Sequence, residues 1–217
     1  MLHRAILAVA VPMLTGMLIS CSGNEQSKSS EDIDAYRNKE TASLVERGSY
    51  LVTVGGCNDC HTPKIFTPRG PVDDSSRTLS GHPAGDVIPP ITGDPATPGN
   101  WVLLSPGLTA FAGPWGISFP ANLTPDEATG LGSWTEEVFI KTLRTGKHLG
   151  QETGRDILPP MPWFNFAKMT DDDLRSVFAY LRSLPPISNR VPAPVTPGDL
   201  ANMTRGAAKP STASQAR

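Results

Sequence analysis

Apolar and polar positions divide the chain into distinct stretches. Residues 5–19 (AILAVAVPMLTGMLI) form an almost unbroken apolar run, and residues 22–42 are polar with few side chains able to bury. From 43 a helical period sets in. Over 43–55, Leu44, Val45, Leu51 and Val52 share one face with Gly48, whose missing Cβ would let another helix come close. A second helix is predicted over 134–146, with Ser133 and Glu136 as a capping box and Gly146 as its stop. A third is predicted over 171–184. Thr170 and three aspartates suit its N-terminus and dipole, Leu174, Val177, Phe178 and Leu181 form its apolar stripe, and Pro185-Pro186 end it. The carboxylates at 136–137 and 171–173 are read as helix-end, solvent-facing charges. Residues 188–217 lose the period and read as a flexible tail.

Between 62 and 120 there is little periodicity, and this stretch holds eleven of the 22 prolines. It also carries Ile65, Phe66, Trp101, Val102, Leu103, Leu104, Phe111, Trp115, Ile117 and Phe119, which call for burial. It is therefore expected to be an ordered wrap around something apolar, since so long a loop usually packs on a ligand or serves a function. Residues 43–187 then suffice for one compact domain.

Composition narrows the function classes. A net charge of -2 in 217 residues argues against a nucleic-acid binder, a single apolar run against a polytopic membrane protein, and three cysteines against a disulfide scaffold. The odd cysteine count needs an explanation. Residues 1–20 read as an export signal, with Arg4 before the apolar run. The sequence Leu18-Ile19-Ser20-Cys21 resembles the bacterial lipoprotein cleavage box, which implies that Cys21 becomes the lipid-bearing first residue and 21–42 a flexible tether. An ordinary signal peptide with an incidental cysteine is the alternative.

The other two cysteines stand in Cys57-Asn58-Asp59-Cys60-His61, a C-x-x-C-H motif for covalent attachment of c-type haem. Two cysteines three apart on a helical turn can reach the two vinyl groups along one porphyrin edge. His61 then offers Nε2 to the iron. A zinc site would need a second Cys/His pair, and a redox dithiol would need a surrounding βαβ pattern; the flanks read instead as helix and proline-rich loop.

For the sixth iron ligand, Met161 lies in Leu158-Pro159-Pro160-Met161-Pro162-Trp163. Prolines on both sides are expected to hold that loop extended and stiff, as a weak thioether ligand requires. A core-filling Met161, ligation by Met169, a histidine ligand and an open site stay as alternatives.

With these motifs together, residues 44–187 resemble the class I c-type cytochromes, and more locally bacterial monohaem cytochromes with segments like Leu79-Ser80-Gly81-His82-Pro83, Ala121-Asn122-Leu123-Thr124-Pro125-Asp126 and Pro159-Pro160-Met161-Pro162-Trp163. The resemblance implies an all-α class I cytochrome c fold, with three to five helices around one covalent haem c (heme c) and a long proline-rich insertion. In that fold the first and last helices cross, and Gly48 and Tyr180 are the candidates for their contact. Trp163 and Phe164 are candidates for packing on the haem edge, with ordinary core as the other reading. A backbone carbonyl in the proline-rich loop, for instance near Pro63, is expected to accept from Nδ1 of His61. His82 either hydrogen-bonds a haem propionate or is exposed, and 122–126 is read as a rigid turn. The implied function is electron transport on the periplasmic or outer side of a bacterial membrane, between a dehydrogenase or respiratory donor and an oxidase or other acceptor, not enzymatic in itself. A haem enzyme, or a gas or redox sensor with a labile sixth ligand, is the competing reading. The spacing between His61 and Met161 exceeds that of the smallest members, so the 62–120 insertion has no template in the minimal fold.

Overall fold

The structure is a computed structural model, and it describes residues 30–207; residues 1–20, read as an export signal, and Cys21 lie outside the described residues. Within it the helices are α1 (Ser30–Val54), α2 (Cys57–His61), α3 (Glu136–Thr145), α4 (Trp163–Phe166), α5 (Asp171–Ser183) and α6 (Pro197–Ala207). The strands are β1 (Lys64–Thr67), β2 (Gly70–Asp73), β3 (Leu103–Leu104), β4 (Phe111–Gly113) and β5 (Gly116–Ser118).

Three helices build the main core. Helix α1 packs along α5, and Gly48 is the point of closest approach: a Cβ there would collide with the Ser176 carbonyl and with Cβ of Tyr180. The expected Gly48–Tyr180 contact is present. Arg47 on α1 pairs with Asp173 on α5 at 2.8 Å, and Arg175 on α5 pairs with Glu136 on α3 at 2.9 Å. Val52, Leu79, Leu131, Phe139, Val177, Phe178 and Leu181 fill the space between. The Thr170 side chain caps α5 by accepting from Asp173 N–H. The cap of α3 is Thr135, which accepts from Val138 N–H, rather than Ser133. The helix runs from Glu136 to Thr145 between Thr135 and the left-handed Gly146, so its cap falls two residues later than predicted and its stop is the predicted glycine.

Helix α1 starts well before the predicted 43, inside the segment read as a tether. Residues 30–42 are helical and exposed. Extending a helix already anchored by Gly48 and Val52 costs little per residue, and Glu31 and Asp32 in the first turn and an Arg37–Asp34 pair at 2.9 Å favour it.

The insertion holds short strands and a 3-10 turn at Ser75–Arg77 but no α-helix, so the all-α expectation holds for the helical core alone. β1 and β2 form a hairpin with Ile65 opposite Val72, and β3-β4-β5 form an antiparallel sheet with Phe111 opposite Ser118. Glycine and proline cut this stretch into pieces too short for helix but long enough to pair. What the insertion wraps is in part the C-terminal segment. Ala110, Ala112 and Ile117 form a second apolar cluster with Leu200 of α6, and Ile117 exchanges both backbone hydrogen bonds with Val195 at 3.0 Å. The reading of 188–217 as a flexible tail is corrected over 188–207, because Val195 and Leu200 supply the apolar surface that this small sheet needs. Asn189 adds to this by donating to the carbonyls of Ser80 and His82. Burial within the insertion is uneven: Phe111 and Ile117 are buried, whereas Trp101, Phe66, Ile65, Val102 and Leu104 are exposed. Among the described residues no helix is long and apolar enough to cross a membrane.

Candidate functional site

Helix α1 ends in a reversal at Gly55-Gly56, where Gly55 N–H reaches Leu51 O and Gly56 N–H reaches Thr53 O. The chain then turns at once into the short α2, which carries Cys57, Cys60 and His61 on five residues. Both thiols are free and half-buried. Burial pushes the Cys57 thiol up to about 11 and raises Cys60 as well, with Asp59 adding to both. Neither sulfur therefore has the lowered thiol pKa of a redox dithiol.

Two side chains missed from the sequence fix this helix. Thr62 donates through Oγ1 to Asn58 Oδ1 at 2.9 Å and accepts from Leu79 N–H at 2.9 Å. Lys64 donates through Nζ to the carbonyls of Asn58 and Thr62, at 2.7 and 2.8 Å, and pairs with Asp73 at 2.7 Å. A cation on carbonyls at the C-terminal end of a helix is favourable, and here it stiffens the turn carrying the cysteines.

His61 is buried, and Nδ1 donates to the carbonyl of Ala121 at 2.8 Å. The acceptor is therefore not near Pro63, whose carbonyl accepts from Asp74 N–H instead. This bond fixes the tautomer and leaves Nε2 as the lone-pair nitrogen, the state a metal-binding imidazole needs. Burial also lowers the His61 pKa, so the ring is neutral at pH 7. A buried neutral imidazole with one nitrogen tied, beside two free thiols on the same turn, fits covalent haem. Among the described residues no group of three or more His, Cys, Asp or Glu could hold a metal ion by itself, so a zinc site has no support here.

Met161 closes a turn rather than sitting in an extended loop. Its N–H reaches the carbonyl of Leu158 at 3.3 Å, and the Pro159–Pro160 bond is cis. Met161 is half-buried and belongs to neither apolar cluster, whereas Met169 packs on the main core and Met203 is exposed on α6. Of these three, Met161 alone is neither core filler nor a surface side chain. Trp163 packs over Gly146 at the end of α3, and Phe164 is exposed. Phe166 rather than Phe164 approaches the motif, since a Cβ on Gly55 would lie 3.3 Å from its ring and 3.8 Å from Cys57 Sγ.

His82 is neither exposed nor free at Nδ1, which bonds Thr109 Oγ1 at 2.9 Å while the ring packs on Phe119. The 122–126 turn is hydrogen-bonded throughout. Asn122 Oδ1 accepts from Thr124, its Nδ2 donates to Ile187 O, and Asp126 Oδ1 accepts from Thr129. A cavity of about 850 Å³ lies between the 91–98 loop and α6, and none of these ligand candidates lines it.

Comparison with known proteins finds similarity to subunits of dehydrogenases. No family model matches the chain. It is 28% identical over 153 residues to a nicotinate dehydrogenase component of Pseudomonas putida, an alignment covering 70% of this chain and 10% of that protein. It is 26% identical over 161 residues to the cytochrome c subunit of the quinone alcohol dehydrogenase of Gluconobacter oxydans, covering 74% and 26%. It is 27% identical over 138 residues to the gluconate 2-dehydrogenase cytochrome c subunit of Pantoea cypripedii, covering 64% and 22%. The chain is similar to cytochrome c subunits of dehydrogenases. It spans about a quarter or less of the length of the curated proteins it matches.

Proposed function

We propose that the chain is an electron carrier holding one covalent haem c, fed by a dehydrogenase and not itself an enzyme. Cys57 and Cys60 would carry the thioether links, and His61 Nε2 and Met161 Sδ would hold the iron. When bound, the group supplies one-electron ferrous/ferric chemistry. The chain's own residues do the rest. The Ala121 carbonyl orients His61 and raises its basicity, Thr62 and Lys64 hold the attachment turn rigid, and the main core on α1 and α5 excludes water behind Cys57. The observation that carries this reading is the His61–Ala121 bond, which leaves Nε2 open on the same turn as two free thiols.

The relatives' names supply the dehydrogenase donor class; an oxidase or another acceptor would take the electron. Cys21 would bear lipid and hold the domain at a bacterial membrane, facing the periplasm or the outside. That confinement raises the effective concentration of membrane-bound partners, and lipoprotein processing supplies the several acyl chains that stable anchoring needs.

The test is mass spectrometry and reduced absorption spectra of the chain produced in a host that attaches haem c. One haem mass bound through both thioethers is expected. The reduced protein should bind carbon monoxide slowly, because both axial positions are filled. Absence of covalent haem defeats the reading, and fast carbon monoxide binding transfers support to a haem enzyme or sensor with an open site.

A further inference from the structure

On the reading of Met161 as the second axial ligand, we infer that Ser118 is the positioning residue for the methionine turn. Ser118 Oγ donates to the Pro159 carbonyl at 2.6 Å, and Trp115 Nε1 donates to the same Oγ at 3.3 Å. Trp115 sits in the β4–β5 turn with its ring over Gly113, so its N–H is aimed along the strand. With one lone pair of the hydroxyl occupied by Trp115, the Ser118 proton is directed to Pro159.

The turn needs such a handle. Pro159, Pro160 and Pro162 have no N–H, so the peptide units around Met161 offer carbonyls but few donors. On its far side the turn runs into α4, where Asn165 N–H reaches Pro162 O at 2.9 Å. On its near side the bond from Ser118 fixes it to β5. That strand is itself anchored, because Ile117 is buried and exchanges two backbone bonds with Val195.

The same segment reaches the other ligand. Ser118 holds the turn of Met161, and Ala121, three residues on, holds His61. Three residues of chain span no more than about 11 Å. The end of the insertion and the residue that follows it thus reach both candidate ligand segments from one short piece of backbone, with Ser118 inside the 62–120 stretch and Ala121 just beyond it.

Ser118 acts through the turn and not on iron. Pro159 is exposed, so in Ser118→Ala water replaces the lost partner and the fold survives. What changes is how often the turn swings away. Losing one net hydrogen bond raises that open population about fivefold, and an external ligand that binds only the open form binds more tightly by the same factor.

The experiment uses the full, haem-loaded chain and reads two quantities: the far-red methionine–iron charge-transfer band of the ferric form, and the affinity for imidazole. Wild type should show the band and Met161→Ala should lose it. Ser118→Ala should weaken the band and bind imidazole about fivefold more tightly, Ser118→Thr should restore both, and Trp115→Phe should move both in the same direction by less. Wild-type imidazole affinity in Ser118→Ala, with Met161→Ala losing the band, overturns the role of Ser118 alone. A band that survives in Met161→Ala overturns the ligand assignment and the role of Ser118 with it. Should Ser118→Ala fail to fold, Trp115→Phe decides by the same two readings.

Discussion

Nδ1 of His61 donates to the carbonyl of Ala121 at 2.8 Å, and Gly81 is what lets the two segments meet. Gly81 has φ +79°, its N–H bonds His61 O at 2.8 Å, and a Cβ on it would stand 2.5 Å from Pro120 O and 2.7 Å from Ala121 O. An added methyl group must push the acceptor away from the imidazole and also pays for a left-handed backbone. Gly81→Ala should therefore cost about 2–4 kcal/mol in urea unfolding. In the haem-loaded protein it should also raise the reduction potential, since a histidine that loses its carbonyl partner is a poorer donor to ferric iron. An unchanged potential in a destabilised Gly81→Ala would mean that the Ala121 bond is structural only.

Gly48 makes the corresponding prediction for the core. A Cβ there collides with backbone of α5, which cannot give as a flexible side chain can. Gly48→Ala should separate α1 from α5, lower the unfolding free energy by about 3–5 kcal/mol and leave the Arg47–Asp173 pair unable to compensate, since an exposed ion pair contributes only about 0–1 kcal/mol. Chemical denaturation followed by far-UV circular dichroism measures this. A loss near zero would show that the helices do not meet at this glycine.

These two glycines mark the limits of legibility. Gly48 could be read from the sequence because it lies in a helical period, opposite another helix with its own period and cap. Gly81 could not, because its partner is the Ala121 backbone, and a carbonyl acceptor leaves no side-chain signature. The same reason misplaced the histidine's partner near Pro63. Thr135 and Ser133 both make sound caps, and only the length of α3 between fixed ends decides for Thr135. The attachment turn was legible because its chemistry sits in consecutive side chains. Ser118, Lys64 and Asn189 act across long sequence separations on backbone atoms, which no local pattern displays.

His82 supplies a pH dependence. It is buried against Phe119 and Thr109, and burial holds its pKa below 6.5, outweighing the opposing pull of Asp86 and the bond to Thr109. In the unfolded chain the ring protonates near its ordinary value, so as pH falls below about 6.5 the unfolded state takes up the proton first and stability drops. The contribution is fully present above that value and is lost progressively towards the lower folded-state pKa. Urea unfolding at about pH 7.5 and about pH 5.5 should show a smaller loss in His82→Gln than in wild type. His61 and His148 are lowered in the same direction, so both proteins lose stability and the difference isolates His82. Equal losses would show that His82 accepts its proton within the fold.

The C-terminal segment gives the sharpest contrast between sequence pattern and packing. Residues 188–217 show no helical period, yet Leu200 is 0% exposed, and Ile117, its neighbour in the second cluster, pairs with Val195. A flexible tail would tolerate Leu200→Ala without effect. A buried leucine truncated to alanine loses both its transfer free energy and the contacts around the void, about 2–5 kcal/mol. The loss should reach the site as well. Loosening α6 loosens Val195, Val195 holds Ile117, and Ile117 precedes the serine that holds the methionine turn. Leu200→Ala should therefore lower the urea midpoint and, in the haem-loaded protein, weaken the ferric far-red band in the same direction as Ser118→Ala. Destabilisation with an unaltered band would confine α6 to supporting the small sheet. An unaltered midpoint would mean that α6 does not pack on Ile117 in solution.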